Sequence, residues 1–181
     1  IMHDFNLPYK FSEEVEKETE KLNDIISEKE IGKRKDLRKE ISFTIDPDDA
    51  KDFDDALSIK INNDLYEIGI HIADVSHFFN TKGLINKEAE KRATSVYLVD
   101  RTIPMLPEKL SNDLCSLRPN VDRLTFSVLI KMNKDYEIVD KWIGRTVIHS
   151  KKRFTYENAQ GTIDQNKGEF LDCLLYTSDA A

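Results

Sequence analysis

Six aspartates lie within the ten residues from Asp46 to Asp55, offset by one lysine, Lys51. Like charges at that density repel one another. A folded chain tolerates them when a cation binds, or when the segment is a solvated loop. Carboxylate oxygens without histidine or cysteine suit a hard divalent cation, Mg²⁺ with Mn²⁺ as its substitute. Such an ion keeps waters and joins carboxylates to phosphates, so the chemistry is phosphodiester hydrolysis. There the metal activates water, polarises the phosphate and stabilises the leaving oxygen. An EF-hand loop needs Gly at its sixth and Glu at its twelfth position. Counting from Asp46 gives Lys51 and Leu57, and from Asp52 gives Leu57 and Asn63, so that reading fails. A structural metal loop and a plain solvated turn stay open on residue chemistry alone.

Something must hold such a loop in place, and apolar alternation on both sides supplies it. Ile41, Phe43 and Ile45 alternate with polar residues before the cluster, as in a half-buried strand. After it, Ala56 to Ile61 and Tyr66 to Ile72 alternate around Asn62-Asn63-Asp64, a hairpin signal. Leu124–Met132 and Ile138–His149 read as two long antiparallel strands turning at Asn133-Lys134-Asp135, with Gly144-Arg145 as a bulge and Trp142 in the core. Leu7 to Phe11 reads as an extended entry. Ser12 caps a helix that runs to about Glu30 on a thin stripe of Val15, Leu22, Ile25 and Ile26, ended by Gly32. Lys33-Arg34-Lys35 reads as a solvated linker. A second helix is expected from Asn86 to about Arg92. Pro104 and Pro107 set a loop, and a short helix spans Ser111–Leu117 before Pro119. The fold class is α+β, with a largely antiparallel sheet and flanking helices.

At 181 residues the chain can bury a core. No apolar run approaches the roughly 18 to 20 residues that span a bilayer. There is no basic-then-apolar start of a secretory signal. Cys115 and Cys173 make neither a metal pair nor a disulfide framework, so a reducing cytoplasm is the default. The net charge of −7 divides into −8 over residues 1–100, +5 over 101–153 and −4 over the rest. An acidic centre beside a basic stretch is what a nuclease needs, although ordinary solvated charge gives the same sum.

The cluster and its neighbours also carry a resemblance. Thr44-Ile-Asp46, Asp52-Phe-Asp54-Asp55-Ala, His71-Ile-Ala-Asp74-Val-Ser-His77-Phe, Ala93-Thr-Ser-Val-Tyr97, Ile103-Pro-Met-Leu-Pro107 and Leu110-Ser-Asn-Asp-Leu-Cys-Ser-Leu117 follow one another in order. Together they resemble the catalytic RNB domain of the ribonuclease R and ribonuclease II family, the Asp-Ala-Lys-Asp-Phe-Asp-Asp form being closer to bacterial ribonuclease R. The resemblance covers roughly residues 4 to 160. It implies a 3′→5′ exoribonuclease that hydrolyses single-stranded RNA to nucleoside 5′-monophosphates with Mg²⁺. It also implies that Asp46, Asp52, Asp54 and Asp55 surround the metal, with Asp54 the carboxylate whose loss abolishes cleavage while sparing RNA binding. Asp48 and Asp49 fall outside the four, as turn formers. Tyr97 matches the tyrosine that stacks on a terminal base, while on its own it reads as a half-buried core residue.

By that resemblance residues 1–38 are a linker and helix of the kind that follows cold-shock domains, and 39–172 are part of an RNB domain. Residues 173–181 resemble a translated sequencing adapter. A downstream arginine, a downstream glutamate and an S1-type barrel have no match here, so the chain is expected to bind RNA weakly and degrade it poorly or not at all. His71, Asp74 and His77 are given structural roles, because spacing of three on a strand does not put them on one face. Arg118, Arg123, Arg145, Lys151, Lys152 and Arg153 are candidates for tracking the phosphate backbone. Two other classes stay in view: a non-catalytic RNA-binding regulator derived from the family, and a calcium-stabilised module. Neither a membrane nor an obligate protein partner is expected.

Overall fold

The computed structural model describes residues 8–62, 64–99, 101–168 and 170–178. Leu7, Asn63 of the hairpin turn and the end of the tail lie outside them. In chain order the elements are α1 (Glu13–Glu20), α2 (Glu28–Ile31), β1 (Lys35–Asp36), β2 (Ser42–Ile45), β3 (Asp55–Asn62), β4 (Leu65–Ala73), a 3₁₀ turn (Val75–His77) and α3 (Leu84–Arg92). Then follow β5 (Val96–Tyr97), β6 (Thr102–Ile103), a wide helical turn (Lys109–Leu114), β7 (Asp122–Met132), β8 (Ile138–His149), β9 (Lys152–Phe154), α4 (Tyr156–Asp164) and α5 (Leu171–Ser178). They form two compact units, residues 1–25 with 75–116, and residues 26–74 with 117–181. None of the described helices is long and apolar enough to cross a membrane.

The second unit is built on a seven-stranded sheet in the order β1-β8-β7-β4-β3-β2-β9. Its pairs are antiparallel except β1 with β8 and β2 with β9. The α+β class with a largely antiparallel sheet is thus the architecture found. β3 and β4 make the expected hairpin, with Asn62 opposite Leu65. β7 and β8 make the second, and Asn133 Oδ1 organises its turn by accepting from the N–H groups of Asp135 and Glu137.

One face of the sheet carries the core. Phe43, Ile59 and Ile68 pack there with Phe154, Ala159, Cys173 and Leu174. The rings of Phe43, Phe154 and Phe170 meet edge to face, with centroids 5.6 to 6.1 Å apart. Quadrupoles favour that geometry. α4 is capped by the Thr155 hydroxyl, which accepts from Asn158 N–H at 3.1 Å.

The other face buries a polar network beside apolar residues such as Ala56, Leu129 and Ile148. His71 has no exposed surface, and its ring nitrogens stand 2.7 Å from Ser127 Oγ and 2.9 Å from Ser58 Oγ. The Thr125 and Thr146 hydroxyls continue the network. Gly69 is required beside it, because a Cβ there would stand 2.3 Å from Ser58 Oγ. Burial pushes the His71 imidazole down to about 4. The unfolded chain takes up that proton near its ordinary value and the folded chain does not. Stability from this group is therefore complete above about pH 6.5 and falls as pH drops towards 4, by up to about 1.4 kcal/mol per unit. Urea midpoints between pH 7 and 4.5 are expected to decline more steeply for the native chain than for His71→Gln; equal slopes would contradict this.

Asp74 is buried too. Arg34 meets it at 2.8 Å and also meets Glu30 at 2.9 Å, while Arg145 approaches Asp74 at 3.6 Å. His71 and Asp74 therefore have structural roles. The linker reading of Arg34 is corrected, since its side chain is only 1% exposed. Removing one partner of so buried a pair would leave the other charge uncompensated.

Four local expectations also change. The opening helix is two helices, because Asn23 Oδ1 accepts from Ile25 N–H and Ser27 Oγ accepts from Glu30 N–H. Those side chains offer the backbone an alternative to helix, and Ile25 ends up exposed. β2 is covered on both faces: Ser42 and Thr44 are as buried as Phe43, while Ile41 is exposed. The bulge lies at Val139, where the register shifts between Lys131 and Met132, and Gly144 pairs regularly with Ser127. Glycine stands at 144 because a Cβ would meet the Trp142 ring at 2.8 Å. Trp142 is half-buried, with Lys35 Nζ 4.7 Å from its centroid, so it is not core.

In the first unit, Ser12 caps α1 as expected, accepting from Val15 N–H at 3.4 Å. Arg92 is its hub. The guanidinium lies 3.7 Å over the Phe11 ring and donates to the carbonyls of Lys10 and Pro104 and to the Glu88 carboxylate. α3 starts two residues before the expected Asn86, and the wide turn two before the expected Ser111.

Candidate active site

The acidic cluster forms the connection between β2 and β3, residues 46–54, with Asp55 opening β3. Backbone bonds tie it down along its length. Asp46 N–H donates to Phe154 C=O at 3.0 Å, and Ala50 N–H closes a turn on Pro47 C=O at 3.1 Å. Leu117 N–H donates to Phe53 C=O at 2.8 Å, and Ala73 N–H to Asp54 C=O at 2.9 Å. A loop so anchored holds its carboxylates in place rather than letting them spread into water. Asp48 and Asp49 occupy the centre of the Pro47–Ala50 turn and are exposed, as expected of turn formers.

Asp46 is 8% exposed, and its Oδ2 is buried with no hydrogen-bond partner among the described residues. Burial raises its carboxyl above the ordinary carboxylate range; the charges of Asp55 and Asp52 add to this, and Thr44 and Arg153 oppose it. Asp54 is raised as well, by burial and then by repulsion from Asp52, Asp55 and Asp46, although the residue as a whole is exposed. Asp52 is half-buried and Asp55 exposed.

The structure thus brings Asp46, Asp52, Asp54 and Asp55 within electrostatic reach of one another. It does not draw three of them into ion-holding distance, and no group of three or more His, Cys, Asp or Glu among the described residues is that close. The donor set fits a hard divalent cation: all-oxygen ligands, an orphaned buried carboxylate oxygen, and two carboxyls, Asp46 and Asp54, whose proton affinity is raised by burial and by their acidic neighbours. When bound, such an ion supplies an activated water and stabilises charge on phosphate oxygens.

Tyr97 lies on β5 in the first unit and is 68% exposed. The half-buried reading is therefore corrected, and the ring is accessible for stacking. Among the six cations proposed to follow a phosphate backbone, Arg123 is 3% exposed and excluded by burial. Arg153 turns inward onto the acidic loop: Nη2 donates to the carbonyls of Pro47 and Asp48. Lys151 and Lys152 are exposed. The role of Arg153 was not legible in the sequence, because nothing in a run of three cations marks which one folds back.

Known proteins resemble this chain over most of its length. DIS3-like exonuclease 2 of Schizosaccharomyces pombe is 52% identical over 142 residues, which are 77% of this chain and 15% of that protein. Ribonuclease R of Thermotoga maritima is 47% identical over 158 residues, 87% of this chain and 22% of that protein. The solved structure of Mycoplasma genitalium RNase R in complex with ribose methylated single-stranded RNA superposes with a TM-score of 0.87 at 30% identity, covering 97% of this chain and 28% of that one. This chain therefore spans less than a quarter of the length of these two curated relatives. The model of the RNB domain matches residues 34–172, well over half of the sequence, and the chain belongs to the RNB domain family.

Proposed function

We propose that this chain carries the metal-binding part of a 3′→5′ exoribonuclease that hydrolyses single-stranded RNA to nucleoside 5′-monophosphates, with Mg²⁺ as the ion and Mn²⁺ as its substitute. One observation carries the reading: Asp46, Asp52, Asp54 and Asp55 lie together on a loop anchored within an RNB fold, with a buried Asp46 oxygen that has no hydrogen-bond partner among the described residues. Asp46 and Asp52 serve as metal-holding carboxylates, and Asp54 at the end of the loop and Asp55 at the start of β3 complete the set. Asp54, which is exposed, is the carboxylate assigned to the reacting phosphate.

The partner class is single-stranded RNA, and the site of action the cytoplasm. The solved relative's single-stranded RNA and the exposed Tyr97 both support that partner. Base stacking on an aromatic ring contributes about 1–3 kcal/mol per base. Tyr97→Ala is accordingly expected to weaken binding of a short single-stranded RNA by about tenfold in fluorescence anisotropy. Unchanged affinity would remove Tyr97 from the substrate path. We take residues 1–38 as a connecting segment whose end joins the sheet through Arg34 and β1, 39–172 as the RNB portion and 173–181 as lying outside it. Cys173 and Leu174 nonetheless pack into the core.

A 5′-labelled single-stranded RNA, incubated with the chain in molar excess, tests the activity. The expected result is slow shortening from the 3′ end with Mg²⁺ and none with EDTA. Internal cuts, or products that persist in EDTA, would contradict it. RNA binding with neither cleavage nor metal uptake would favour the non-catalytic regulator instead.

A further inference from the structure

Arg153 is folded against the acidic loop, and its contacts reach both arms of the loop. Arg153 sits on β9, which runs parallel to β2 with Arg153 opposite Thr44, two residues before Asp46. Its Nη2 lies 2.5 Å from Pro47 O and 2.9 Å from Asp48 O, and Nη1 lies 3.8 Å from Asp48 Oδ1. The guanidinium carbon stands 5.5 Å from the ring centroid of Phe53, on the far arm of the same loop. The next residue of β9, Phe154, accepts the Asp46 N–H. Side chain 153 and main chain 154 therefore hold the first arm together, and the same side chain covers the residue between Asp52 and Asp54.

A planar guanidinium suits this task. It can donate to two carbonyls at once while lying against an aromatic ring, and its charge stays on whatever the surroundings. Without it, the carbonyls of Pro47 and Asp48 would add their negative ends to six carboxylates.

We propose that Arg153 is a positioning residue, which fixes both arms of the acidic loop so that Asp46 and Asp52 to Asp55 can present oxygens to one divalent cation. The inference rests on the proposed cation site and adds to it the residue that sets its shape. Arg153 acts through the loop and not on the RNA backbone.

The test is Mn²⁺ titration of the full chain, followed by the loss of the free-ion electron paramagnetic resonance signal, for the native protein, Arg153→Met and Arg153→Lys. Thermal melts are recorded alongside. Outer residues that orient metal ligands contribute about 10–100-fold in affinity. Arg153→Met is expected to bind Mn²⁺ at least about tenfold more weakly, with a melt close to native. Arg153→Lys keeps the charge but lacks the fork, so it should recover only part of the loss. Native affinity in Arg153→Met would overturn the proposal. Full recovery in Arg153→Lys would overturn it too, since charge alone would then suffice. If Arg153→Met does not fold, the lysine variant decides by itself. A native chain that takes up no Mn²⁺ would sink the cation site, and the positioning role with it. Native binding with insensitivity at residue 153 would sink the positioning role alone.

Discussion

Asp54→Asn is expected to reduce Mg²⁺-dependent RNA shortening by about 10³-fold, to below detection in this chain, while RNA affinity stays within about twofold of native. The magnitude is that of losing one preorganised charged group at the reacting centre. The split between cleavage and binding follows from position. Asp54 stands at the end of the acidic loop, exposed and within reach of the charges of Asp52, Asp55 and Asp46. An amide there removes a negative charge that a cation would offset, and it adds no bulk. It also leaves the backbone bond from Ala73 N–H to Asp54 C=O intact, so the loop keeps its path. Cleavage of labelled RNA, with anisotropy on the same preparations, checks both halves. Equal loss of binding would make Asp54 a general RNA contact, and retained cleavage would remove it from the chemistry.

The second large effect is on stability. Phe43→Ala is expected to cost about 4 kcal/mol, read from urea midpoints. Phe43 has no exposed surface and meets Phe154 and Phe170 edge to face. Its removal leaves a cavity lined from β2, β9 and the segment before α5, so no single element can move to fill it. A domain has only about 5–15 kcal/mol in total, so the variant would lie near the edge of folding. Ile143→Ala is the contrasting case. Ile143 is 58% exposed on β8, and its truncation should cost no more than about 0.5 kcal/mol. A Phe43→Ala shift under about 1 kcal/mol would show that the ring cluster is not the centre of this unit. The same strand leads directly into Asp46, so metal affinity should fall in that variant even where it remains folded.

Much of this was readable from residue order. Alternation placed both hairpins to within two residues, because a strand with one wet face writes its pleat into the sequence. The acidic loop was legible for the opposite reason: six aspartates between two apolar strands admit few folded explanations. What escaped was the identity of partners far along the chain. Arg34 and Asp74 are 40 residues apart, and Arg153 reaches Pro47 across 106. Charge in a sequence reads as solvated by default, and only the fold reveals which cations are turned inward. The break between α1 and α2 was missed because Asn23 and Ser27 each fit a helix weakly and a cap well, and the stripe of isoleucines outweighed them. Trp142 misled through its size. A tryptophan on β8, where β1 pairs only with Thr146 and Val147, finds one neighbour in Gly144 and another in Lys35, not a core.

The central claim is that Asp46, Asp52, Asp54 and Asp55 together form a divalent-cation centre, and Mn²⁺ binding by the native chain and by Asp46→Asn/Asp52→Asn tests it most directly. The account predicts saturable uptake by the native chain, displaced by Mg²⁺, and at least about a hundredfold weaker in the double variant. Uptake that is absent from the native chain, or unchanged when both aspartates are replaced, would contradict it.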